Sequence, residues 1–177
     1  TLHTVLQHPT PGQQAVLSKL VALSDATVVM SQSAAARLAG VYGVDRGRLH
    51  VIPHGVPELP FVDPVKVKPA LGVEDRKVIL SFGLLGPGKG IEWAIDAMSE
   101  FSDLSPHPEY VIAGSTHPKV REHSGEAYRE MLVDRAARSP SAAHVTFDDT
   151  YRDLVSLTRL IQSADLVVLP YDSRDQV

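Results

Sequence analysis

Residues 82 to 90 read Phe82-Gly83-Leu84-Leu85-Gly86-Pro87-Gly88-Lys89-Gly90, and they follow the apolar run Val78-Ile79-Leu80-Ser81. A short β-branched strand thus runs into four glycines and a lysine. Ile91, Ala94, Ile95 and Met98 then repeat on one face of a helix. Glycine lets the backbone turn sharply and lets a ligand approach the main-chain amides. A helix N-terminus offers unpaired N–H groups, and Lys89 adds a full positive charge, so the loop is suited to an anion such as phosphate. Gly83-x-x-x-x-Gly88-Lys89 opens like a Walker loop. The Ser or Thr that would ligate magnesium is replaced by Gly90, which argues against an NTPase. The spacing of Gly86, Gly88 and Gly90 is also wrong for the dinucleotide turn G-x-G-x-x-G. On the loop alone, a plain strand-to-helix turn remains an alternative.

The same rhythm extends along the chain. Strand-like runs fall at 27–30, 49–52, 78–82, 110–113, 144–147 and 166–169. They are short, β-branched and nearly continuous in apolarity, as in strands covered on both faces. Helical patterns lie between them: Val16, Leu17, Leu20 and Leu23; Ser31 as N-cap of a helix to Tyr42 that stops at Gly43; Glu126 to Ala137; and Leu154, Leu157, Ile161 and Ala164. Strand–helix alternation predicts an α/β fold with a Rossmann-like parallel sheet. Pro53, Pro57, Pro60, Pro64 and Pro69 interrupt it, and the stretch reads as a stiff linker between domains.

The 177 residues suffice for one domain or parts of two, and 44% hydrophobic with 21% charged residues is an ordinary globular balance. A net charge of -4 argues against a nucleic-acid partner. The absence of cysteine excludes disulfides and thiolate metal sites. No Asp-x-Asp or HExxH-like spacing appears, and no apolar run reaches the roughly 18 residues of a membrane span. The chain starts at Thr1 and stops just after a strand-like run, so it reads as an internal fragment.

Four stretches together resemble the retaining glycosyltransferases of family four, also called group 1. These are FGLLGPGKGIE in the donor loop, VIPHGVP at 51–57, TLHT at 1–4 and SADLVVLPY at 163–171. The resemblance implies the GT-B architecture of two facing Rossmann-like domains. Residues 1–52 would then end the acceptor-side domain, 53–75 would be the proline-rich linker, and 76–177 would form the first half of the nucleotide-sugar donor domain. It implies a hexosyltransferase that moves a sugar from a UDP- or GDP-linked donor to an acceptor hydroxyl with retention. No metal and no further cofactor would be needed, and the fragment alone would be inactive. Position by position, Lys89 matches the lysine on the donor diphosphate, and Gly83 and Gly90 match the loop glycines. Gly114 and Ser115 match the donor-side strand end, and His3 matches the cleft histidine, the catalytic candidate. Asp165 matches an aspartate with a structural role. Asp175 lies where the family's paired glutamates begin. The departures are Leu84 in place of the diphosphate-binding arginine and His54 in place of asparagine. The resemblance further implies polysaccharide biosynthesis in the cytoplasm, with the inner membrane face as a candidate location.

Competing readings remain. One is a sugar-nucleotide epimerase, for which no acid/base carboxylates stand out. A second is a nucleotide- or phosphate-binding regulatory module without transferase activity, which Leu84 would suit. The third is a plain α/β interaction domain. His3 is equally readable as a surface residue, and His117 and His123 as solvated loop histidines. Glu126 to Glu130 reads as a solvated charged face.

Overall fold

The computed structural model describes residues 1–73 and 75–172, which divide into two units, Thr1–Leu59 and Pro60–Asp172. In the first unit, α1 (Pro11–Ala22) begins at a capping box. Thr10 Oγ1 accepts from Gln13 N, and the Gln13 side chain accepts from Thr10 N. β1 (Thr27–Val29) follows. Ser31 then caps α2 (Gln32–Tyr42), which ends at Gly43 with φ +65°. β2 (Leu49–Val51) pairs parallel with β1, and Leu2 forms a parallel bridge to Val29. Val5, Val21, Val29, Ala34, Leu38 and Val44 make the core. On α1 the core-facing pair is Leu17 and Val21, one turn apart, whereas Val16, Leu20 and Leu23 are exposed. Of the stripe read from the sequence, only Leu17 therefore lies on the buried face.

The second unit begins in the proline-rich stretch. Asp63 caps α3 (Pro64–Val67), and a 3-10 turn over Lys68–Leu71 ends at Gly72. The short helix packs against α7 (Leu154–Ser163), so residues 64–72 carry local structure of their own. β3 (Val78–Phe82), β4 (Glu109–Ala113), β5 (Val145–Asp148) and β6 (Leu166–Val167) form one parallel sheet in the order β5-β4-β3-β6. Side chains alternate between its faces, as the strand period requires. Ile79, Tyr110 and Ile112 meet α4 (Ile91–Ala97) and α6 (Ala127–Arg138) through Ile91, Ile95, Tyr128 and Leu132. Leu80, Phe82, Val111 and Ala113 meet Leu160 and Ile161 of α7. Helices cover both faces, and the parallel α/β class expected from the sequence is present. β6 is shorter than the apolar run suggested, and Leu166 and Val167 are exposed.

Two polar devices tie β6 to the sheet. Tyr110 is fully buried; its hydroxyl lies 2.9 Å from Ser81 Oγ, which donates to Val168 O at 2.6 Å. Burial pushes the Tyr110 phenol up to about 12, the bond to Ser81 opposing this in part. At the other end of the strands, Asp165 accepts from buried Lys68, from Lys77 at 3.0 Å and from Val78 N at 2.8 Å. Burial alone would raise the Asp165 carboxyl. The hydrogen bonds from Lys68, Val78 N and Lys77 outweigh it and hold the group at about 2.

Candidate functional site

In the second unit the chain moves from β3 outward to β4 and β5, then returns to place β6 on the other side of β3. The strand order thus reverses between β3 and β6. In open parallel sheets, ligands bind outside the carboxyl ends of the strands at such a reversal. The loop 83–90 leaves β3 at that point, and 168–171 leaves β6 beside it. One depression is lined by both, including Gly83, Leu84, Lys89, Pro170 and Tyr171.

The glycines are required there for separate reasons. Gly90, φ +66°, precedes α4, and a Cβ on it would lie 1.8 Å from Pro170 O. A Cβ on Gly114 would lie 1.8 Å from Gly83 O, so these two backbones are in direct contact. Gly83 N donates to Ala113 O at 2.9 Å, Leu85 N to Ser115 O at 2.9 Å, and His117 N to Leu85 O at 2.8 Å. The segment after β4 thereby runs beside the loop like a short extra strand pair, with Leu85 bridged to Thr116.

Lys89 is half-buried. Its Nζ lies 4.4 Å from the Tyr171 ring centroid and 3.4 Å from the Tyr171 hydroxyl. Asp172 N donates to Gly88 O, and Trp93 Nε1 to Asp172 Oδ2 at 3.4 Å. Leu84 is exposed where the resemblance has an arginine. Gly83, Lys89, Gly90, Gly114 and Ser115 are therefore gathered at the carboxyl end of one sheet. Asp175 lies outside the described residues. His3 belongs to the other unit. It follows Leu2 at the carboxyl end of β1, is exposed, and stacks on His54 with ring centroids 5.9 Å apart.

The reading of 117–130 needs correction. His123 is not in a loop but within α5 (Pro118–Ser124), still exposed; His117 does stand in the connection before it, where its Nδ1 accepts from Lys119 N and caps the helix. The first turn of α6 is not a solvated face. Glu126 accepts from buried Thr116 and pairs with Arg121 at 3.2 Å. Tyr128 is buried and donates to Glu92 Oε2 at 2.8 Å, and Arg129 NH1 donates to Gly114 O at 2.9 Å. Burial first, and then the bond to Glu92, push the Tyr128 phenol up. Sequence reasoning missed Tyr171, Glu126, Tyr128 and Arg129 as parts of this end of the sheet. For Tyr171 the available signal was its place closing the run 163–171.

A glycine-rich loop with a lysine thus stands at the switch point of a parallel α/β sheet, the place where open sheets of this class bind their ligands. The comparisons with known proteins narrow the class. Residues 1–58 match Glycosyltransferase Family 4. A D-inositol 3-phosphate glycosyltransferase of Acidothermus cellulolyticus is 35% identical over 104 residues, covering 56% of this chain and 23% of its own length. The enzyme of that name from Segniliparus rotundus is 29% identical over 170 residues, 93% of this chain and 36% of its own. Among solved structures, Anabaena HepE in complex with UDP superposes with a TM-score of 0.78 at 21% identity, over 98% of this chain and 46% of that one. A sucrose-phosphate synthase from Thermosynechococcus elongatus gives 0.76 at 21% identity, over 95% and 40%. The chain spans less than half the length of each of these relatives. The resemblance to the group 1 glycosyltransferases is borne out, and so is the α/β architecture of GT-B structures.

Proposed function

We propose that the intact protein transfers a sugar from a UDP-linked donor to an acceptor hydroxyl, with retention and without a metal or other cofactor. The observation that carries this reading is Lys89, presented by the glycine-rich loop at the switch point beside Gly83 and Gly114. The relatives named as glycosyltransferases support sugar transfer, and neighbours solved with UDP and with UDP-glucose support the choice of donor.

In the reaction the bond from the sugar's anomeric carbon to the diphosphate breaks and its electron pair goes to the departing phosphate oxygen. The acceptor oxygen bonds to the same carbon, and its proton passes to an oxygen of the departing diphosphate. Negative charge grows on the diphosphate, and a fixed ammonium there stabilises it more in the transition state than in the ground state. Tyr171 orients Lys89 through its ring and hydroxyl. Gly83, Gly90, Gly114 and Ser115 let the backbone approach the donor. His3 orients or polarises the acceptor, a role open to an imidazole, whose ring nitrogens can donate or accept a hydrogen bond.

Under the same proposal residues 1–52 close the acceptor-side domain, 76–177 begin the donor domain, and these 177 residues alone are inactive. No described helix is long and apolar enough to cross a membrane. A cytoplasmic setting, the inner membrane face included, belongs to the proposal. The test is Lys89→Ala in the intact protein. Sugar transfer from a panel of UDP-sugars should fall about 100-fold or more in kcat/KM, with the melting temperature unchanged. An unchanged kcat/KM refutes the role given to Lys89.

A further inference from the structure

We infer that Arg129 is a positioning residue for the nucleoside diphosphate, acting through the backbone of Gly114; the inference rests on the proposed reading of the loop at 83–90. Arg129 lies in the first turn of α6, and its side chain is only 18% accessible. Its NH1 donates to Gly114 O at 2.9 Å, its NH2 lies 3.8 Å from Asp149 Oδ2, and its guanidinium sits 5.8 Å from the centre of the Phe147 ring. A planar fork held at three points is a stiff support.

What it supports is the seam under the loop. Gly114 N is taken by Asp148 O at 2.8 Å, which fixes one side of the glycine to the end of β5. Gly114 O is fixed by Arg129. Between them the Gly114 backbone presses on Gly83, so closely that a Cβ would reach within 1.8 Å of Gly83 O. Gly83 is the first residue of the loop, and its own N–H is held by Ala113 O. Glycine has no side chain to restrict its dihedrals, so without Arg129 the carbonyl side of Gly114 loses its anchor. The slack then passes to Gly83 and to the loop that carries Lys89. The neighbouring contacts run the same way: Glu126 holds Thr116, and Tyr128 holds Glu92 at the start of α4. The first turn of α6 thus braces the loop from behind.

The experiment is calorimetric titration of UDP into the intact protein and into Arg129→Met and Arg129→Lys, with melting curves for all three. A charge-assisted hydrogen bond of this kind predicts UDP affinity about tenfold weaker in Arg129→Met. Arg129→Lys keeps a donor for Gly114 O but loses the fork and should fall between the two, about threefold weaker. In steady-state transfer the KM for the sugar nucleotide should rise while that for the acceptor stays. A purely structural role would lower the melting temperature and leave the affinity of the folded fraction alone. Unchanged UDP affinity in Arg129→Lys, or in Arg129→Met if it folds, overturns the inference while the reading of the loop stands. Failure of the unsubstituted protein to bind UDP overturns the reading of the loop and this inference with it.

Discussion

Gly90→Ala puts the switch-point geometry to a quantitative test. Two penalties act at Gly90. Its φ of +66° lies in the left-handed region, where a Cβ costs about 1–2 kcal/mol. The new Cβ would also lie 1.8 Å from Pro170 O and 2.9 Å from Pro170 C, whereas real Cβ atoms essentially never approach closer than 3.0 Å. The loop and the chain after β6 must therefore separate by roughly 1.2 Å, the gap between those values. Neither side can yield as a flexible side chain would, because the obstacle is backbone. Overpacking of this kind costs about 1–3 kcal/mol, which gives a total of roughly 2–5 kcal/mol. Gly43→Ala supplies the control: its φ of +65° and ψ of +26° lie in the same left-handed region, and nothing lies within 4 Å of its Cβ. Only the first penalty applies there, about 1–2 kcal/mol. Urea unfolding of both variants measures the difference, and UDP titration measures its consequence, because the separation pulls Tyr171 away from Lys89. Equal destabilisation by the two substitutions would show that the loop and the chain after β6 are not packed as described.

Other expectations follow from single contacts. Leu84→Arg restores the cation that the resemblance expects at an exposed position and should tighten UDP about tenfold, read by titration. Asp165 is held near 2, below its ordinary 3.8, so its contribution to stability is present above about pH 4 and is lost as pH falls through 2. A shift of that size corresponds to about 2.5 kcal/mol before screening and about 1 kcal/mol once the partial exposure of the carboxylate is allowed for. Urea midpoints between pH 5 and 2 should show this slope in the native protein and lack it in Asp165→Asn. Tyr110→Phe removes the bond to Ser81 but leaves Ser81 on Val168 O, so it should cost only about 1 kcal/mol by urea unfolding. The Tyr110 phenol is raised from 10.0 to about 12, so its contribution is complete below pH 10 and is lost as pH rises through 12. Tyr110→Phe should lack that alkaline loss.

Much of this molecule is legible in local sequence. β3 occupies the run read for it, and α2 starts after Ser31 and stops at Gly43, because a hydroxyl cap and a left-handed glycine are chemical signals that need no tertiary partner. The loop at 83–90 is legible for the same reason: its glycines and lysine state their own conformation and charge. α5 was hidden because its cap is a histidine, whose ring nitrogen does what a hydroxyl or carboxylate usually does. The roles of Glu126, Tyr128 and Arg129 were hidden because a charged helical stretch looks the same whether it faces water or a carbonyl. Only the fold brings Gly114 under Arg129. Tyr171 meets Lys89 across 82 positions of chain, and no periodicity reports a contact of that range. The exposure of Val16 and Leu20 on α1 shows the converse, an apolar pattern whose face the period alone does not fix.

The central claim is that the switch-point loop holds a nucleoside diphosphate through Lys89 without a metal. A thermal-shift panel on the intact protein tests it, with UDP, GDP and ATP each in magnesium and in chelator. A ligand that binds only the folded state raises the melting temperature, by an amount that grows with its concentration over Kd. UDP should raise it equally in magnesium and in chelator, and the shift should vanish in Lys89→Ala. A shift with ATP and magnesium alone would return the loop to the NTPases that Gly90 argues against, and no shift with any nucleotide would leave the switch point without its ligand.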